Sequence, residues 1–261
     1  MISLLLTKFK NILLLLLIGA MVFTTNIKAN AVINTDYIKF TVIEQTVETA
    51  AVQPRLCDIV IRVGEYEGKA GKRIYINNQT VNLPDDIPVR NDGDGNGFYV
   101  SEWDINLKEA KAIAQKLQAK GINVRLQVAY TKSEDLNAAA RIANKANPYL
   151  YVSVHHNYYE DNSTGYFSMY NPNNQKSKEL ANILSNAIQD NGQIRRMADR
   201  ENTGYIGELN TIHGTTVPAL LELGFFSNIA ELEKICSDSY VDYVSTQLAN
   251  ELANIIMEDY K

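Results

Sequence analysis

Histidine, cysteine and basic charge are all scarce in this chain. Its 261 residues include three histidines and two cysteines, and 25 lysines and arginines stand against 30 acids. A net charge of −5 argues against a general nucleic-acid binder, which needs basic groups to neutralise phosphates. The two cysteines, Cys57 and Cys236, are too few and too far apart for a four-cysteine zinc site. In an exported protein they can pair. Spacing alone leaves two buried thiols as the other reading. Beyond the amino-terminal segment, no run is long and apolar enough to span a membrane, which takes about 20 residues.

That first segment has the three parts of a secretory signal. Lys8 and Lys10 give it a positive start, Ile12 to Met21 is apolar, and Ala29-Asn30-Ala31 offers a small-x-small cleavage site. The expected organisation is a signal peptide over residues 1–31, an extension or linker over 32–55 and one catalytic domain over 56–261. Cleavage would remove three lysines and no acids, leaving a more acidic, secreted or wall-associated protein with no membrane attachment.

Short apolar runs alternate with helical periodicity through the rest of the chain. Strands are expected at Asp58–Ile61, Val124–Val128, Leu150–Val154 and Pro218–Leu223. Arg73 to Leu83 reads as a hairpin turning at Asn77-Asn78. One helix is expected to start at a capping Asp104 and stop at Gly121. A second, capped by Ser133 or Asp135, runs to Asn144. A third spans Ser177–Gln189, with Leu180, Ile183, Leu184 and Ile188 on its apolar side. A terminal helix carries Val241, Val244, Leu248, Leu252 and Ile255. This order predicts an α/β fold: a single domain with a mostly parallel or mixed central sheet flanked by helices. In such sheets the site lies at the carboxyl ends of the strands.

The unusual residues fall at those ends. His155 and His156 close an apolar strand, and alternation sends them to opposite sides. On its own, a strand-end histidine is an ordinary hydrogen-bonding residue. Glu222 sits inside Ala219-Leu220-Leu221-Glu222-Leu223, where a carboxylate is costly unless paired, metal-bound or protonated. Arg195, Arg196 and Arg200 are candidate ion-pair partners. Burial moves its pKa toward that of a general base. Glu102 precedes a long helix, where an acid also suits the helix dipole.

Taken together, these segments resemble the zinc-dependent N-acetylmuramoyl-L-alanine amidases of the third amidase class, over roughly Asp58 to Tyr260. Glu102 with Asn106 matches the family's acidic zinc ligand and the Asn after it. Ser153-Val154-His155-His156-Asn157 is similar to its Ser-Ile-His-Ala-Asn, which marks His155 as a ligand. Pro218 to Asn228 matches the catalytic strand and marks Glu222 as catalytic. Asn144 fits the helix before the histidine strand. The resemblance implies hydrolysis of the amide between N-acetylmuramic acid and L-alanine in peptidoglycan, with zinc polarising the carbonyl and activating water.

One stretch departs from the family. Its first strand runs into Asp-Pro-Gly-His-Gly-Gly, whose His is a zinc ligand; here Arg62-Val63-Gly64-Glu65-Tyr66-Glu67-Gly68 aligns with it. Glu65 thus stands at the histidine position, with Glu67 the second candidate. The implied ligand set is Glu65, Glu102 and His155, a more anionic site at which a harder metal such as manganese can compete with zinc. If Glu65 points away, the alternative is a degenerate relative that binds or regulates at the wall. A metallopeptidase acting on wall peptides is the weaker third reading.

Other signals are secondary. Asp92, Asp94 and Asn96, with Gly97 following, have the spacing of a calcium-loop start, but Trp103 stands where a full EF-hand needs Glu, so at most a partial Ca2+ site is expected. His213 and Asn157 are candidate substrate contacts. Tyr158, Tyr159, Tyr166 and Tyr170 can stack on sugars or pack internally.

Overall fold

The computed structural model describes residues 54–68, 73–77, 79–188, 195–198 and 207–259, all within a unit spanning residues 52–261. The expected signal peptide and nearly all of the expected extension lie outside the described residues. So do the side chains of Arg195 and Arg196, and all of Arg200.

The central sheet has six strands among the described residues, in the order β5-β1-β6-β9-β7-β8. These are β1 (Ile59–Val63), β5 (Val124–Gln127), β6 (Leu150–Asn157), β7 (Tyr166–Tyr170), β8 (Arg195–Ala198) and β9 (Val217–Phe225). Neighbours run parallel except β7 and β9, which are antiparallel. The expected α/β fold with a mixed, mostly parallel sheet is present.

β1 and β9 are apolar nearly throughout because both sheet faces are covered. Alternation sorts their side chains into two cores. Ile59, Ile61, Val63, Leu150, Val152, Val154, Ala219, Leu221 and Leu223 join the larger one. Helices α1 (Glu102–Ala119), α3 (Gln175–Ala187), α5 (Ile229–Cys236) and α6 (Asp238–Asp259) supply many of its other residues. Val60, Tyr151 and Leu220 join a smaller core that includes alanines of α2 (Asn137–Ala146) and Leu209 of α4 (Gly207–Thr211). By the same alternation, Arg62, Ser153, His155 and Glu222 fall on the smaller core's side of the sheet.

Several local expectations are corrected. Arg73 to Leu83 is not a hairpin. β2 (Arg73–Tyr75) pairs antiparallel with β4 (Phe98–Ser101), which also pairs with β3 (Arg90–Asn91). Asn77 ties the strand across: its side chain accepts from the Phe98 amide at 2.7 Å and donates to the Asn96 carbonyl. Val81 and Leu83 instead pack on the larger core.

Asp104 does not cap α1. Ser101 does, accepting from the Trp103 amide at 3.2 Å, while Asp104 holds Arg90 through two bonds of 2.8 and 2.9 Å. Neither Ser133 nor Asp135 caps α2; Thr131 and Glu134 form a capping box on a 3-10 turn over Lys132–Glu134, and Asp135 turns inward. Ile183 lies on the exposed side of α3, opposite the buried Leu180 and Leu184. β7 was not expected as a strand; of the four tyrosines, Tyr166 and Tyr170 on it are buried, as internal packing requires, and Tyr158 and Tyr159 are exposed. Cys57 and Cys236 are free, buried thiols in different cores. No described helix is long and apolar enough to cross a membrane.

Candidate metal centre

The cluster begins where β1 ends. Gly64 donates its amide to the Val154 carbonyl at 2.8 Å, which keeps the chain against β6 one residue past the strand. A Cβ on Gly64 would sit 2.5 Å from that carbonyl oxygen and 2.6 Å from the His155 ring, so only glycine fits. The next residue, Glu65, has φ 62°. A left-handed conformation costs an ordinary residue about 1–2 kcal/mol and persists where the surroundings enforce it. Here it turns a carboxylate inward, and Glu65 is only 4 % exposed.

The second carboxylate comes from the first residue of α1. Glu102 is fully buried at the positive end of the helix dipole. Asn106, one turn later, donates to the Gly64 carbonyl at 3.1 Å and to Glu102 Oε1 at 3.3 Å. It thereby ties the helix start to the end of β1.

His155 closes the group from β6. Its Nδ1 lies 3.1 Å from Glu102 Oε1 and 3.9 Å from Glu65 Oε1. One ligand atom from each of Glu65, Glu102 and His155 falls within 4.8 Å of the others. No other described group of three or more His, Cys, Asp or Glu side chains meets that condition. Glu222, on β9, is the direct cross-strand neighbour of His155 and is also buried.

The electrostatics follow from this crowding. Burial alone would lower the His155 pKa, but Glu102 foremost, then Glu222 and Glu65, more than reverse it. His156 behaves differently. It turns to α1, where its Nδ1 meets Asn106 Oδ1 at 2.8 Å. Burial pushes its pKa down to about 3 against the pull of Glu102. His156 is therefore neutral at physiological pH and orients the asparagine that braces the cluster.

The remaining candidates sort by position. Glu67 is no part of the cluster; its side chain is 41 % exposed and lies 3.6 Å from Arg90. Asn157 ends β6 on the same sheet edge as His155. His213 does not. It precedes β9, where its amide donates to Asn144 Oδ1, while Glu222 is five residues beyond the strand's start. At about 3.3 Å per residue that is about 16 Å away, at the opposite edge of the sheet. Asp92, Asp94 and Asn96 lie in the turn joining β3 to β4, where Asp92 Oδ1 accepts from the Asp94 amide.

Sequence reasoning missed Arg62. It is fully buried in β1. Its guanidinium contacts Asp135 at 2.5 Å, Glu208 at 3.2 Å, Ser153 Oγ at 3.3 Å and His155 Nε2 at 3.2 Å. The signal was available: a charged residue inside an apolar strand, the same argument applied to Glu222.

Comparison with known proteins decides the family. The model of the N-acetylmuramoyl-L-alanine amidase family Amidase_3 matches residues 90–254. The chain belongs to that family. As an N-acetylmuramoyl-L-alanine amidase it is a peptidoglycan hydrolase. The match includes Glu102, His155 and Glu222 and begins after Glu65. An uncharacterized protein of Bacillus subtilis (strain 168), YqiI, is 28% identical over 165 residues, covering 60% of this chain and 74% of its own length.

Solved amidases share the fold at lower identity. An N-acetylmuramoyl-L-alanine amidase from Clostridium difficile 630 is 19% identical, with TM-score 0.52 over 76% of this chain and 96% of its own. The CwlD amidase from Clostridioides difficile, solved in complex with the GerS lipoprotein, is 18% identical, with TM-score 0.54 over 78% and 99%. The enzyme from Mycobacterium smegmatis is 14% identical, with TM-score 0.55 over 78% and 100%.

Proposed function

We propose that this amidase acts as a secreted zinc enzyme whose ion is held by Glu65, Glu102 and His155, and that Glu222 is its general base. The observation that carries the reading is the convergence of two buried carboxylates and one imidazole within 4.8 Å. Buried like charges at such spacing repel strongly unless a cation lies between them. Two carboxylates and one imidazole form an acceptable zinc donor set, so the residues fit the ion. When bound, zinc would supply Lewis acidity toward the scissile carbonyl and acidify a coordinated water.

The chain's own residues do the rest. Glu222, next to His155 across the β6–β9 pair, accepts a proton from the attacking water and returns it to the departing L-alanine amine. A buried carboxylate is suited to that exchange. Asn106 keeps Glu102 and the Gly64 backbone in place. Asn157, on the same edge, is positioned to contact substrate, and the exposed Tyr158 and Tyr159 follow it. The inward turn of Glu65 supports the enzyme reading over a degenerate wall-binding one.

The test is hydrolysis of purified peptidoglycan by the mature protein and by Glu222→Gln. The reading expects new L-alanine amino termini from the first and almost none from the second, with equal metal content. Equal activity in both would remove Glu222 from the mechanism.

A further inference from the structure

The back of the His155 ring carries an unusual partner. A metal-bound imidazole ordinarily gives its outer N–H to a carboxylate, a carbonyl or water, which fixes the ring and raises its basicity. Behind His155 stands the Arg62 guanidinium, with Nη1 3.2 Å from Nε2. A guanidinium has five N–H donors and no acceptor. In this arrangement Nε2 therefore receives a hydrogen bond, and the hydrogen of a neutral ring sits on Nδ1, facing Glu102 Oε1 at 3.1 Å.

Arg62 is held firmly in that place. Asp135 and Glu208 bind it at 2.5 and 3.2 Å, and Tyr151 donates its hydroxyl to Glu208 from behind. A guanidinium stays protonated in proteins, so its charge is fixed. A fixed positive charge thus lies beside the ligand set, on the one nitrogen where such a site normally has an acceptor.

The geometry points to Arg62 as a positioning residue of this centre: it pins the His155 ring and weakens the site's hold on its cation. The inference rests on the metal reading above. Two effects act in the same direction. The charge repels a nearby cation, and the donor behind Nε2 favours the ring form whose Nδ1 lone pair is taken. Glu65 has the opposite effect, adding a negative charge to the same centre. Arg62 and Glu65 therefore offset each other across the same centre.

Two measurements on the full mature protein test this. The zinc dissociation constant, read by competition with a chromophoric chelator, is compared between wild type and Arg62→Gln. The expected result is tightening by about tenfold, the scale at which groups behind a ligand act, even though the variant is less stable. Unchanged or weaker binding in a folded variant overturns the proposal. Should Arg62→Gln not fold, the second measurement decides: two-bond nitrogen–proton correlation spectra of the zinc-free wild type, with His155 assigned through His155→Gln. At a pH where the ring is neutral its hydrogen is expected on Nδ1; a neutral ring with its hydrogen on Nε2 overturns it. Wild type that binds no zinc would overturn the metal reading itself, whereas wild type that binds zinc without these effects of Arg62 overturns this inference alone.

Discussion

Gly64 and His155 meet so closely that one added methyl would overlap the imidazole, its carbon 2.6 Å from the ring. Gly64→Ala is therefore expected to cost about 1–3 kcal/mol through overpacking and to push His155 away from Glu102. Thermal unfolding and zinc titration of the variant check both effects; an unchanged melting temperature with unchanged zinc affinity would contradict the close approach.

Asn106 links three parts of the centre, bonding the Gly64 carbonyl, Glu102 and His156. Asn106→Ala leaves buried partners unsatisfied, at about 1–3 kcal/mol. It also frees Glu102 to rotate. Zinc affinity should fall by about 10- to 100-fold, as for other groups that orient ligands. Isothermal titration of the folded variant checks this, and unchanged affinity would contradict the bracing role.

Much of the centre was legible in the sequence, for a physical reason. Glu102, His155 and Glu222 each stand out locally, as a polar group at the end of or inside an apolar run. Glu65 was legible as the residue in the histidine's place, but its left-handed backbone was not. The role of Arg62 was hidden because its partners Asp135 and Glu208 lie far along the chain, on separate elements. The false hairpin at 73–83 failed for a similar reason. Local turn propensity at Asn77 was overridden by pairing with Phe98–Ser101, fixed by the Asn77 side chain itself. β7 was missed because its aromatic run Tyr166 to Tyr170 fits surface stacking and internal packing equally until β9 is placed beside it.

Glu109 is a buried acid outside the proposed chemistry. It is 1 % exposed on α1, and neither carboxylate oxygen has a hydrogen-bond partner among the described residues. Burial raises its pKa well above the usual value, with Lys108 and Lys116 pulling weakly the other way. A folded-state pKa raised above the unfolded one penalises the fold as pH climbs past about 4.5 toward the raised value, and leaves it untouched below. Glu109→Leu should therefore stabilise the protein at neutral pH by about 1–3 kcal/mol. The advantage should shrink as the pH is lowered to about 4. Urea unfolding at the two pH values measures it, and equal gains at both would contradict the assignment.

Cys57 and Cys236 belong to different cores, and burial pushes the Cys236 thiol up to about 12. Both should resist alkylation in the native protein and react fully on unfolding, as shown by mass spectrometry. Added reductant should leave the melting temperature unchanged; a mass lower by two hydrogens would reveal a disulfide and contradict this.

The central claim is that Glu65 serves as a metal ligand together with Glu102 and His155. The most direct measurement is zinc stoichiometry together with L-alanine amino-terminus release from peptidoglycan, for the mature wild type and Glu65→Ala side by side. The account predicts about one zinc per wild-type chain, with activity, and loss of both in a variant that still folds. A Glu65→Ala protein that keeps its zinc and its activity would contradict it.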